Sequence, residues 1–267
     1  FDDCQRLVKS MFADKEFNDS INMSGVNSIN WARIAIQIVY YFFSYFKISD
    51  KDEKINFSVP TGNFGDIYAG YLAKKMGLPI NKLLIATNKN DILKRVVETG
   101  LYKPLEVSHT VSPSMDIQVA SNFERLIFDI CSQSPERTKK FMNVLDDEGE
   151  FQLDKAEQKK IKEDFYSESL SEDETKLTIN EIYKKEKILI DPHTAVAIGV
   201  VKKISTNNKT VILSTAHPAK FSEVVMKETG IKPELPHNLK NILEKKEKYE
   251  KLPNNLNDIR NYILKKI

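Results

Sequence analysis

The residues best suited to hold a charged ligand are Ser58-Val59-Pro60-Thr61-Gly62-Asn63-Phe64-Gly65-Asp66. An apolar, β-prone run, Ile55 to Val59, passes through a turn with two glycines into a helix-like run, Ile67 to Met76. The first N–H groups of a helix have no intrahelical acceptor and carry the positive end of its dipole, so an anion such as a phosphate sits well there. Glycine lets the backbone come close to such a group and take positive φ. An ordinary βα connection also favours Gly, Asn and Asp, so the pattern alone leaves both readings open. The spacing is G-x-x-G, without the third glycine or the acidic ribose partner of a dinucleotide fingerprint, which counts against a nicotinamide cofactor.

Two further sets follow apolar runs. Ser214-Thr215-Ala216-His217-Pro218 comes directly after Val211-Ile212-Leu213, and Asp191-Pro192-His193-Thr194 after Lys187 to Ile190. In an open α/β sheet, ligands collect beyond the carboxyl ends of the strands, so hydroxyls at these positions lie at the functional edge. Each set also has a plain structural reading. Ser214 and Thr215 suit a turn, Asp191 and Thr194 suit a helix cap, and His193 and His217 suit structural histidines.

The elements that must position these residues are legible from periodicity. Helices are expected over Phe1 to Phe12, Trp31 to Phe46 and Asp66 to Met76, the last ended by Gly77-Leu78-Pro79. Strands are expected at Ile55 to Val59 and Lys82 to Ala86; strand, helix, strand in about thirty residues is a βαβ unit and implies a parallel sheet. Asn88 to Gly100 reads as a loop and helix, capped by Asn90 or Asp91 and closed by Gly100. From Asp116 to Glu186 the text turns charged and helical, with Ser167 to Glu174 an exposed acidic connector. A second strand, helix, strand follows over Lys187–Ile190, Thr194–Ile204 and Thr210–Ser214, then helices at Phe221–Gly230 and Leu256–Lys265. The expected division is 1–115, the first part of an α/β cofactor-binding domain; 116–186, a helical insertion; and 187–267, the rest of that domain with a helical tail.

With 267 residues the chain can bury a sizeable core. Its 40 Lys and Arg face 38 Asp and Glu, a net +2 with the signs interspersed, and no nucleic-acid partner follows. Two cysteines, Cys4 and Cys131, suggest neither a disulfide framework nor a metal site, and a cytoplasmic setting is expected. The apolar stretch Ile34 to Phe46 is shorter than the ~20 residues of a membrane span and reads as a buried helix. Phe1-Asp2-Asp3 lacks an initiating Met and a signal peptide, so the chain is expected to start within a longer one.

The phosphate-turn motif with Ala69-Gly70-Tyr71-Leu72-Ala73-Lys74-Lys75-Met76-Gly77-Leu78-Pro79 resembles the long threonine synthases of fungi and many bacteria. The resemblance runs in order through Asn27-Ser28-Ile29-Asn30-Trp31-Ala32-Arg33, Ala86-Thr87-Asn88-Lys89-Asn90-Asp91-Ile92-Leu93, Ser112-Pro113-Ser114-Met115-Asp116-Ile117, Asn122-Phe123-Glu124-Arg125, Asp191-Pro192-His193-Thr194-Ala195 and Leu213-Ser214-Thr215-Ala216-His217-Pro218-Ala219-Lys220-Phe221. It implies the tryptophan-synthase-β-like, pyridoxal-phosphate-dependent fold: an α/β parallel sheet with flanking helices and an inserted helical subdomain. It implies that Gly62, Asn63, Phe64, Gly65 and Asp66 hold the cofactor phosphate, and that Thr215, with Ser214 the alternative, faces the pyridine nitrogen. Asp191 and His193 are carried over more weakly, as lining the same edge. The implied reaction converts O-phospho-L-homoserine and water into L-threonine and phosphate. The family's Schiff-base lysine lies upstream of the positions matched here; Lys74, Lys89 and Lys220 do not stand in its context. The chain is accordingly expected to be a C-terminal portion, inactive alone. A non-catalytic anion- or cofactor-binding, regulatory fragment is the alternative; oligomeric state is left open.

Overall fold

In a computed structural model the chain is described over residues 2–25, 29–49 and 53–267. It runs α1 (Asp2–Ala13), α2 (Lys15–Ile21), α3 (Trp31–Ile48), β1 (Ile55–Pro60), α4 (Gly65–Lys75), β2 (Ile80–Thr87), α5 (Ile92–Thr99), β3 (Leu101–Tyr102), α6 (Phe123–Ile130), α7 (Pro135–Glu148), β4 (Phe151–Gln152), α8 (Lys155–Asp164), β5 (Phe165–Ser169), α9 (Glu172–Glu186), α10 (Pro192–Ile204), β6 (Thr210–Ile212), α11 (Ser222–Thr229) and α12 (Leu256–Leu264). Two compact units form, Trp31–Glu234 and a smaller one from Phe1–Asn30 with Leu235–Ile267. In the smaller unit α1 packs on α12, Arg260 pairs with Asp14, and its guanidinium lies 4.6 Å from the centre of the Phe17 ring.

The larger unit is built on a four-stranded parallel sheet, order β5-β2-β1-β6. β1 is central and buried on both faces, so that even its polar residues Asn56 and Ser58, which alternate with Ile55, Phe57 and Val59, are buried. Ile55, Phe57 and Val59 join the larger core with Ile34, Tyr41 and Ile67, while the alternate residue Ser58 turns to α10 and donates to the Ala197 carbonyl at 2.8 Å. On that second face Val196, Ala197 and Val200 of α10 pack with Ala86, Met115 and Leu170. Pairing of Phe57 with Val211 and of Ser58 with Ile212 places the β1 and β6 carboxyl ends side by side.

Several expectations are corrected. Lys187–Ile190 is not a strand: α9 runs to Glu186, Lys187 closes it at φ 58°, and the chain passes without regular structure to Asp191. The sheet therefore takes its fourth strand from inside the charged block. Ser167 to Glu174 is not an exposed connector but the end of β5 and, through the Ser171–Glu174 capping box, the start of α9. β5 lies at the sheet edge with alternating burial, so the block 116–186 is not wholly helical. The long apolar helix α3 is buried on one face only, through Ile34, Tyr41 and Tyr45; Ile36, Val39, Tyr40 and Phe43 are exposed. Asn27 and Ser28 of the Asn27–Arg33 motif lie outside the described residues.

Candidate functional site

The turn after β1 is held from three sides. Thr61 donates its backbone N–H to the Ala86 carbonyl at 2.8 Å, which keeps the turn in line with β2. The Asn63 carbonyl accepts from the backbone N–H of Asn122 at 3.0 Å and from its side-chain amide at 3.1 Å. Phe64 adopts the left-handed conformation at φ 65°, an unfavourable state for a residue with a Cβ. Its fully buried ring compensates, packing edge-on against Phe123 at 5.3 Å and against Phe165 at 5.6 Å.

α4 then begins without a side-chain cap. Among the described residues no protein acceptor takes the backbone N–H of Gly62, Asn63, Phe64, Gly65, Asp66 or Ile67; the first bond of the helix runs from Tyr68 to the Phe64 carbonyl. A helix end with its donors left over and no cap is an anion receptor. Gly62 is required sterically, because a Cβ there would stand 2.8 Å from the Ser114 carbonyl oxygen.

Ser114 belongs to a short turn, Pro113–Met115, that lies over the glycine and is anchored by a buried polar cluster. The Asp116 carboxylate accepts from the side-chain amides of Asn88 at 2.8 Å and Asn90 at 3.0 Å, and from the Thr110 backbone N–H at 2.9 Å. The motifs Ala86–Leu93 and Ser112–Ile117 are thus parts of one assembly.

Ser214 and Thr215 emerge exposed from the end of β6, where Leu213 still donates to the Ser58 carbonyl at 3.0 Å. A cavity of about 470 Å³ joins them to Asp66, walled on its far side by Arg33, Gln37 and Tyr40 of α3. Gln37 contributes a buried carbonyl oxygen with no protein donor. Burial pushes the Asp66 carboxyl up to about 6, against the opposing pulls of the Tyr41 hydroxyl and the Arg33 guanidinium. Tyr41 donates to the Asp66 backbone carbonyl at 2.8 Å, with a longer contact of 3.2 Å to its carboxylate.

Asp191 caps α10 and lies fully buried with His193 and Thr194, on the α10 side of the sheet. His217 is exposed and caps the short turn Pro218–Phe221 through its Nδ1. Lys74 pairs with Asp164, while Lys89 and Lys220 are exposed. Tyr41 and Gln37 have no motif that marks them in the sequence, and Ser114 stands there only within the Ser112–Ile117 motif, without a role. The apolar spacing of α3 spoke only of a core, and contact of Ser114 with Gly62 is a tertiary fact. No cluster of potential metal ligands exists among the described residues.

A parallel sheet with an uncapped glycine turn after one strand and exposed hydroxyls after its neighbour is an α/β domain with the edge at which such folds collect ligands. Comparison with known proteins gives the family. The family model "Threonine synthase, C-terminal" matches residues 194–263. The chain is 41% identical to the threonine synthase of Pseudomonas aeruginosa over 266 residues, covering 98% of this chain and 57% of that protein. It is 46% identical to that of Saccharomyces cerevisiae over 246 residues, covering 84% of this chain and 48% of the yeast protein. The pyridoxal-phosphate-bound threonine synthase of Brucella melitensis superposes with a TM-score of 0.89 at 45% identity, covering 98% of this chain and 57% of that one. The chain accordingly belongs to the threonine synthase family, matches its C-terminal model over 194–263, and spans about half the length of the relatives it matches.

Proposed function

We propose that this chain supplies the cofactor-phosphate and ring-facing parts of an enzyme that converts O-phospho-L-homoserine and water into L-threonine and phosphate. The observation that carries the reading is the run of unpartnered amides from Gly62 to Ile67 at the start of α4, whose Asp66 lines one cavity with Ser214 and Thr215. The spare donors and the close-packed glycine fit a phosphate-bearing cofactor. When bound, pyridoxal 5'-phosphate supplies an electron sink for proton removal from the amino-acid substrate.

The chain's own residues do the positioning. Gly62, Asn63, Phe64, Gly65 and Asp66 offer fixed backbone dipoles to the phosphate, at no side-chain entropy cost. Thr215, or Ser214, offers the pyridine nitrogen a neutral hydroxyl, which moderates the electron sink where a carboxylate would strengthen it. Tyr41 holds Asp66 at the first turn of α4. A small-molecule substrate, a cytoplasmic setting and the domain division 1–115, 116–186 and 187–267 are parts of the same proposal.

The test is titration of the purified chain with pyridoxal phosphate, followed by absorption before and after borohydride. Saturable binding, displaced by inorganic phosphate and leaving no stoichiometrically reduced lysine, is expected. Absence of saturable binding overturns the reading, and one stoichiometrically reduced lysine overturns the upstream assignment of that group.

A further inference from the structure

Asp191 stands out because both oxygens of a fully buried carboxylate are committed, and to different places. Oδ1 accepts from the His193 backbone N–H at 2.9 Å and from its ring Nδ1 at 2.8 Å. The opposite ring nitrogen, Nε2, accepts the Ser114 backbone N–H at 3.2 Å, so the imidazole hydrogen resides on Nδ1. The ring also packs on Phe221 with centres 4.7 Å apart. Oδ2 accepts the Thr194 hydroxyl. The same hydroxyl is also directed at the Ser214 Oγ at 3.3 Å, so its one hydrogen is shared between the two acceptors, with Asp191 the nearer.

We propose that Asp191 is the centre of a two-armed strut in which His193 and Thr194 are positioning residues. One arm, Asp191–His193–Ser114, presses the Pro113–Met115 turn onto Gly62. The other, Asp191–Thr194–Ser214, fixes the residue preceding Thr215. On the cofactor reading above, on which the functional side of this inference rests, the first arm sets the phosphate end and the second the ring end. A helix cap alone would need neither the imidazole nor the threonine, because the His193 backbone N–H already supplies the capping bond.

The experiment is amide hydrogen exchange on the whole chain for wild type, His193→Ala, His193→Gln and Thr194→Val, alongside calorimetric titration with inorganic phosphate. In His193→Ala exchange should quicken about tenfold over 108–117 and stay unchanged over 213–217, and phosphate affinity should fall about tenfold. Thr194→Val should show the reverse pattern of exchange and keep phosphate affinity within about twofold. His193→Gln, whose amide oxygen replaces the Nε2 acceptor, should recover most of the loss. Should the alanine variant fail to fold, Ser214→Ala, at an exposed hydroxyl, tests the second arm. Unchanged exchange over 108–117 in His193→Ala, or equal loosening of both segments in either variant, would overturn the strut. Arm-specific exchange in a chain that binds no phosphate would uphold the strut and refute the cofactor reading.

Discussion

Gly62 and Ser114 are in such close contact that a single added carbon on the glycine would stand 2.8 Å from the serine carbonyl oxygen. That neighbour is backbone and cannot rotate away. Gly62→Ala is therefore expected to displace the Pro113–Met115 turn, at a stability cost of about 1–3 kcal/mol. Displacement also stretches the Ser114 bond to His193, so phosphate affinity should fall by more than tenfold. Denaturant unfolding and phosphate titration of the same preparation check both; a variant as stable and as tight as wild type would show that the turn yields freely.

Asp66 gives a pH dependence with a defined sign. Its folded value of about 6 lies above the ordinary 3.8, mainly through burial, so the neutral carboxyl is the form the fold favours. The stability it contributes is present in full below about pH 4 and is lost as pH rises through about 6. Asp66→Asn keeps an acceptor for Tyr41 and removes the ionisation. The variant should gain on the order of 1–2 kcal/mol over wild type at pH 8, allowing for screening from the cavity, and nothing at pH 4. Chemical denaturation at the two pH values measures the difference, and a pH-independent gap would refute the assignment.

The two thiols should separate kinetically. Cys4 is exposed, whereas Cys131 is buried, and burial together with the Glu157 carboxylate pushes its thiol up to about 11. A thiol reagent at pH 8 should modify one equivalent rapidly and the second only on unfolding. Two fast equivalents would mean that the α6 end opens readily.

On the proposed reading the covalent and acid/base partner is not among these residues, so the chain alone should release no phosphate from O-phospho-L-homoserine above background, since holding a cofactor's phosphate cannot replace that partner. A protein extended to the full length of the relatives should do so. In that longer protein Thr215→Ala should lower turnover more than it weakens phosphate anchoring. Cofactor-dependent turnover by the 267-residue chain would overturn the expectation.

The sheet was legible where sequence and burial coincide. β1 carries Ile55, Phe57 and Val59 at alternate positions and β2 the run Leu83 to Ala86, all buried, and the glycine turn between β1 and α4 announces itself by composition. β5 was not legible. Its Phe-Tyr-Ser-Glu-Ser sequence alternates as an edge strand should, but five residues inside a long charged stretch carry too little pattern to outweigh their polarity. Lys187–Ile190 failed in the opposite sense: it is apolar because Ile190 fills a small core with Ile179 and Ala195, not because it pairs in a sheet. At the site, the uncapped glycine turn and the exposed hydroxyls after β6 could be marked from local motifs. The Asn88–Asp116 cluster, the Tyr41–Asp66 contact and the arms reaching from Asp191 join residues far apart in the chain, and no local spacing encodes them.

The exposed face of α3 has a consequence for how this chain behaves as a solute. Ile36, Val39, Tyr40 and Phe43 recur at helical spacing and form a greasy ridge on a molecule whose net charge is only +2. With little long-range repulsion to keep copies apart, contact between ridges is limited mainly by concentration and by the salt present. The chain is in this respect a surfactant: it is expected to salt out early in sulfate, to light up hydrophobic dyes while fully folded, and to stay monodisperse best in dilute, low-salt solution.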